Sequence, residues 1–332
     1  MRDISLVRLL PVQPKVPFLA GRIVAGILSV IAIFASIFLF SAKGLNYGID
    51  FTGGTVIEID TGSVPQPDII RSTMSDLGFG GAIVQNIAPP PDVNIDHDFV
   101  RVGIPLQEET EGDVQNAQQL ALQRAVDGLT AEIGEFEIRN QGVVSSKVSG
   151  ELRQKGIIAI LGALICILGY IWFRFEWQFG LGAVIALFHD VILTIGVFSI
   201  TQIEFNLSII AAILTIVGYS LNDTVIVYDR IRENLRKFKK MALPDVLNLS
   251  INDTLSRTIM TSMTTLLALL ALYFLGGTGL RGFSFAMIWG VFVGTYSSIF
   301  VASPLLLMLK LKRGSMMETG GDENGGGDLA KT

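Results

Sequence analysis

The chain has 332 residues, half of them hydrophobic and 17% charged, with a formal net charge of −5 and a mean hydropathy of +0.54. That balance excludes an ordinary soluble domain. One cysteine, Cys166, and two histidines exclude an internal disulfide framework and argue against a structural zinc site. No P-loop or GxSxG pattern occurs, so no cofactor is expected and any energy source lies outside nucleotide hydrolysis by this chain.

Six apolar runs approach the length a bilayer demands, because about 30 Å of hydrocarbon takes about 20 helical residues. Each reads as a helix, since a spanning segment must satisfy its own backbone polar groups. The first run is Ile23–Phe40. Its apolar core exceeds a typical signal-peptide h-region and no A-x-A-like site follows, so it is expected to be retained. A long segment, Ser41–Lys155, comes next, rich in acidic residues such as Glu108-Glu109-Thr110-Glu111 and long enough for a domain with its own core. Thr55–Ile59 alternates as a strand, and Pro67–Leu77 places Ile70, Met74 and Leu77 at helical spacing. Ala82–Ile87 and Phe99–Ile104 read as strands around Pro89-Pro90-Pro91. Asp113–Ile133 sets Leu122, Val126, Leu129 and Ile133 on one helical face, and Glu135–Val144 is a last strand. The β-α-β-β-α-β order predicts an α+β, ferredoxin-like domain.

The second and third runs, Gly156–Phe173 and Phe179–Ile200, flank Arg174, and Glu204 in the short loop beyond them reads as solvated. The fourth run is Leu207–Tyr228. Leu235–Ser256 reads as a basic, amphipathic connection to the fifth run, Ile259–Leu275, whose true start is expected about a turn earlier. Phe283–Leu309 is the sixth, and the Gly- and acid-rich tail after Arg313 is expected to be disordered. Arg2, Arg8, Lys15, Arg22, Arg174, the cluster Arg230 to Lys240 and Lys310, Lys312 and Arg313 fall on one side of a six-helix plan. The positive-inside rule therefore predicts both termini in the cytoplasm and the α+β domain outside it, with Lys147, Arg153 and Lys155 as the counter-indication. The expected organisation is a polytopic α-helical membrane protein with six transmembrane helices. It comprises an N-terminus with the first helix (1–41), the periplasmic domain (42–155), helices two to six (156–313, with a basic loop at 229–256) and the tail (314–332).

Inside the fourth run the sequence turns polar: Gly218, Ser220, Asn222, Asp223 and Thr224 interrupt an apolar span. An ionised carboxylate in the membrane costs several kcal/mol unless it is paired, hydrated or protonated, which makes Asp223 a functional candidate. Arg257 is the natural partner, opening the fifth helix with Thr261 and Thr265 on the same face. Counted from the outer ends at 1.5 Å per residue, Asp223 lies about 24 Å and Arg257 about 27 Å deep, so the two are expected to be level. Arginine stays protonated, and proton exchange would fall to the aspartate, whose protonation would strand Arg257. The alternative readings are a static clamp or an arginine snorkelling to the surface. His189-Asp190 in the third helix suits a proton relay, or else Asp190 hydrogen-bonds a neighbouring helix. Gly290, Gly294, Ser297 and Ser298 read as small-residue helix packing.

Four blocks resemble one family. They are Gly48-Ile49-Asp50-Phe51-Thr52-Gly53-Gly54-Thr55, Val144–Leu152 (VSSKVSGEL), GYSLNDTVIVYDRIRE in the fourth span, and Gly276-Gly277-Thr278 through Gly294-Thr295-Tyr296-Ser297-Ser298 to Pro304. In this order they resemble the SecF branch of the SecD/SecF family, within the resistance-nodulation-division superfamily. One departure is Ser145-Ser146, where the family usually has Gly-Pro. The resemblance implies a subunit of the bacterial inner membrane that pairs with SecD and assists the SecYEG channel in moving unfolded preproteins. The drive would be the proton gradient or, in some species, sodium. It assigns ion passage to Asp223 and Arg257, with Asp190, His189 and Asn222 beside them, and no enzymatic chemistry. Two other classes stay open from the sequence: a related exporter of small molecules or lipids, and an intramembrane aspartyl protease using Asp190 and Asp223. The second lacks the Gly-x-Gly-Asp pattern, since Asn222 precedes Asp223.

Overall fold

A computed structural model of the chain describes residues 15–62, 66–87, 99–106, 114–144 and 146–309. The expected tail, the triple-proline loop, the acidic run at 108–111 and Ser145 lie outside the described residues. After a 3-10 turn at Phe18–Gly21, the elements are α1 (Arg22–Lys43), α2 (Ile49–Thr52), β1 (Gly54–Asp60), α3 (Pro67–Asp76), β2 (Ile83–Ile87), β3 (Phe99–Pro105), α4 (Val114–Ile133) and β4 (Glu137–Val144). There follow α5 (Ser146–Arg174), α6 (Trp177–Thr201), α7 (Leu207–Lys237), α8 (Leu243–Leu275), α9 (Thr278–Ser297), a π-helical turn at Ser298–Ala302 and α10 (Ser303–Met308). Among the described residues six helices are long and apolar enough to cross a membrane, the last formed by α9, the π turn and α10 together.

The extramembrane domain is a four-stranded sheet in the order β2-β3-β1-β4, with every pairing antiparallel. Alternation along β1 decides its faces. Ile57 and Ile59 turn into a core with Ile70 and Met74 of α3, Val100, Val102 and Ile104 of β3, and Ala125 and Leu129 of α4. Glu58 points to the opposite face and pairs with Arg101 at 2.6 Å. β2 and β4 are the two edges, and β4 is almost wholly exposed.

Two boundaries differ from the sequence expectation for the same reason. The expected basic loop at 229–256 is mostly helix: α7 continues to Lys237 and α8 begins at Leu243. α5 likewise starts at Ser146, within the segment assigned to the domain. Hydropathy sees only the part of a helix that contacts lipid, whereas a polar extension holds its shape through its own hydrogen bonds and packing. Here Arg230 and Asn234 of α7 both bond Asp253 of α8, at 2.8 and 3.0 Å, and Asn234 also bonds Ser250 at 3.0 Å. Val246, Leu247 and Ile251 bury the facing side against Leu235 and Ile231. Arg257 therefore sits mid-helix and does not open α8.

Within the bundle, apolar residues form two main clusters. One, towards the extramembrane domain, contains Phe198, Phe205, Ile209, Ile213, Ile216 and Val291. The other, towards the far end, contains Phe179, Val227, Tyr228, Ile251 and Leu306. Between them lies a layer of buried polar side chains from α6, α7, α8 and α9.

Candidate functional site

Ser220, Asp223, Thr224 and Val227 share one buried face of α7 at three- and four-residue spacing. Close approach of α9 makes that face polar on both sides. A Cβ at Gly290 would collide with Ile216 of α7, and a Cβ at Gly294 would lie 3.0 Å from Ser220. The two glycines thus act as the sequence suggests, by bringing helices together. The serines that follow do more. Ser298 Oγ donates to Asp223 Oδ2 at 2.5 Å, and Ser297 Oγ donates to Asp190 Oδ2 at 2.8 Å. Reading these two as packing residues alone is corrected by that geometry.

Asp223 is 6% exposed. Its second oxygen, Oδ1, accepts from Thr258 Oγ1 of α8 at 2.6 Å. Two neutral hydroxyls are its partners, and no ion pair reaches it among the described residues. Asp223 and Arg257 lie at similar depth, because Thr258, which reaches Asp223, adjoins Arg257. The pairing is not formed: Arg257 is exposed on the outer face of α8. At about 100° per residue, a step of one position moves a side chain from the bundle interior to its periphery, and Thr258 takes the inward position. Asn222, next to Asp223, is exposed for the same reason.

Asp190, fully buried, has a parallel shell. Its Oδ1 meets His189 Nδ1 at 2.8 Å, and Oδ2 accepts from Ser220 at 2.5 Å as well as from Ser297. His189 is buried, with Nε2 unpartnered, and its ring stacks on Tyr296 at 6.0 Å between centroids. Tyr296 in turn donates to the Ala25 carbonyl of α1 at 2.9 Å. Consecutive serines, Ser297 at the end of α9 and Ser298 at the start of the π turn, therefore face two buried carboxylates, each held by hydroxyls from neighbouring helices. Of the sequence candidates, Asp223, Asp190 and His189 are brought into this layer, and Arg257 and Asn222 are not.

The π turn places Ser298. Pro304, in the first turn of α10, has no N–H to return to the preceding turn, and the helix widens just before it. Ser303 Oγ satisfies the Ser298 carbonyl at 2.9 Å, and the buried Tyr228 hydroxyl satisfies Ala302 O at 3.0 Å. Among the described residues no group of three or more His, Cys, Asp or Glu side chains could hold a metal ion. The chemistry available is proton or small-cation exchange on carboxylates in a hydroxyl-lined layer.

Glu204, expected to be solvated, is half-buried in the connection between α6 and α7. Its Oε2 accepts from Gln85 Nε2 of β2 at 2.7 Å. Nothing in the local sequence marks it, because the partner comes from a distant strand.

The chain matches two family models: "Protein export membrane protein SecD/SecF, C-terminal" over residues 125–312 and "SecD/SecF GG Motif" over residues 38–62. It is 45% identical to a protein translocase subunit SecF from Rhodobacter capsulatus, covering 86% of each chain. To one from Rickettsia akari it is 43% identical, over 91% of this chain and 94% of the relative. To one from Vibrio alginolyticus it is also 43% identical, over 93% and 95%. Among solved structures it is similar to SecDF, a translocon-associated membrane protein from Thermus thermophilus, with a TM-score of 0.76 and 36% identity over 92% of this chain. A second SecDF structure, in a super-membrane-facing form, matches with a TM-score of 0.66 and 35% identity. The chain spans only 40% and 41% of those two solved chains.

Proposed function

This chain belongs to the SecD/SecF family of protein export membrane proteins, and from that membership we propose that it is an ion-coupled subunit of Sec protein export. In this reading it is a multi-pass protein of the inner membrane with both termini in the cytoplasm and its ferredoxin-like domain in the periplasm. It pairs with SecD, assists the SecYEG channel, and acts on unfolded preproteins by moving the domain, with no bond made or broken in the substrate.

The observation that carries the coupling is the shell around Asp223: a carboxyl group at membrane depth held by two neutral hydroxyls, with Arg257 next to Thr258 on α8 and turned outward. An ionised carboxylate left unpaired in such a place costs several kcal/mol. A protonated Asp223 also fits this shell once the Ser298 bond is reversed: Ser298 Oγ lies 3.0 Å from the Thr295 carbonyl, so it can donate there and accept the Asp223 proton while Thr258 still donates. Loss of that proton creates a charge that the hydroxyls alone do not balance, and Arg257, adjoining Thr258 on α8, is the cation that a rotation of α8 by about 100° would turn toward it. Asp190 and His189 extend the path through Ser298 and Ser297. A membrane potential supplies about 2.3 kcal/mol per charge per 100 mV, enough for a proton to bias a helix between two positions.

The polar surface left outside supports SecD as partner. Asn222 of α7 and Arg257 of α8 are exposed within helices that cross the membrane, where lipid cannot satisfy them; the exposed Thr215, Thr261 and Thr264 beside them bond their own helix backbone. A second membrane subunit covering this face removes the cost. In the reconstituted complex, Asp223→Asn is expected to abolish gradient-stimulated export; unchanged stimulation would refute the coupling role.

A further inference from the structure

The connection between α6 and α7 is tied to the extramembrane domain by backbone and side chains alike. Tyr47 and Phe205 form a parallel bridge, with Phe205 N–H donating to Asn46 O at 2.7 Å and Gly48 N–H to Phe205 O at 2.9 Å. Asp50 of α2 accepts from the Leu207 N–H at 3.0 Å, one of the otherwise orphaned donors at the start of α7. From the sheet, Glu58 of β1, Arg101 of β3 and Gln85 of β2 stand opposite one another across the three strands. This row ends on Glu204, whose Oε2 takes the Gln85 hydrogen bond. Its other oxygen fills the space beside Gly48, where a Cβ would collide with it.

We propose that Glu204 is a positioning residue of the transport cycle, a protonation-dependent latch that seats the extramembrane sheet on the N-terminus of α7. This rests on the reading that ion exchange at Asp223, farther along the same helix, drives the domain. The titratable groups acting on Glu204 are Asp50, which repels it, and Arg101, which attracts it but is already bonded to Glu58. Burial pushes the Glu204 carboxyl above the usual carboxylate range and Asp50 adds to the rise, while the Gln85 bond and Arg101 oppose it only in part. Docked, the group holds its proton more tightly than when free in water. The docked state is therefore favoured at low pH and loses that advantage as pH rises through the docked value. A carboxyl on the proton-rich face of an energised membrane would thus close the latch on protonation and release it on ionisation.

The test uses the full chain with its SecD partner in lipid vesicles, with Cys166→Ser and spin labels at Ser72 of α3 and Thr201 of α6, both exposed. The label separation is measured across pH. The wild type should show a docked population that declines as pH rises above the ordinary carboxylate range. Glu204→Gln, which keeps the acceptor and removes the charge, should stay docked at every pH. Gly48→Ala, which displaces the carboxylate without removing it, should lose the pH response and lengthen the separation. A wild-type distribution indifferent to pH, or a Glu204→Gln response matching the wild type, would overturn the latch. Export measured in parallel keeps the two readings apart. Loss of export in Asp223→Asn with no pH response at Glu204 overturns the latch alone. Intact export in Asp223→Asn with the predicted response overturns the Asp223 coupling on which the latch's role in transport rests.

Discussion

Two hydroxyls decide what Asp223 can do. Thr258 and Ser298 each give it one short hydrogen bond, and removing either leaves part of a buried acid unsatisfied, at a cost of about 1–3 kcal/mol. Ser298→Ala and Thr258→Ala are each expected to lower gradient-stimulated export in reconstituted vesicles while leaving complex assembly intact. The double variant should approach the loss of Asp223→Asn. Equal export in the double variant and the wild type would show that the shell plays no part. Asp190→Asn should reduce export less than Asp223→Asn, because in the proposed path it lies beyond the serines. The sequence disclosed Asp223, Asp190 and His189 through their cost in an apolar run. It did not disclose Ser297, Ser298 or Thr258, because a helical serine or threonine commonly bonds its own helix backbone. Only the crossing of α9 and α8 over α7 aims these hydroxyls at carboxylates. Arg257 illustrates the opposite error: its depth could be counted along the helix, but its azimuth could not.

Helix contacts set the precision of that layer. Gly290 and Gly294 let α9 lie against α7, and a larger side chain at Gly290 forces the pair apart. Gly290→Val is expected to destabilise the protein by about 1–3 kcal/mol through overpacking, read as a lowered unfolding temperature in detergent, and to reduce export through the displaced serines. Tyr228→Phe removes the hydrogen bond that satisfies the π turn at Ala302 and should cost about 1 kcal/mol, with the turn's amide exchange rising before that of α9. Unaltered exchange would mean that the turn is held by packing alone. The existence of the six helices was legible from length and hydropathy. The polar halves of α7 and α8 were not, since Asn234, Ser250 and Asp253 stabilise them by contacts that carry no apolar signature. In the extramembrane domain, the alternation of Ile57 and Ile59 with Glu58 made β1 readable. Its pairing with both β3 and β4 depends on register, which a single strand does not encode.

At the scale of the molecule, an α+β domain, a tether through Tyr47 to Asp50, and a helix bearing a buried carboxyl form one continuous connection. The exposed polar face of α7 and α8 then predicts where the second subunit lies. Cysteines at Thr261 or Thr264 should cross-link to SecD in native membranes, whereas cysteines on the apolar face of α1, at Phe34 or Phe38, should do so far less. The central claim is that the charge state of Asp223 links the ion gradient to export. It is tested most directly by preprotein translocation into inverted vesicles carrying the purified complex, with the ion gradient imposed and then collapsed. Wild-type complex should lose its stimulation when the gradient collapses, and Asp223→Asn should show the collapsed rate under both conditions. Gradient-dependent stimulation persisting in Asp223→Asn would contradict the account.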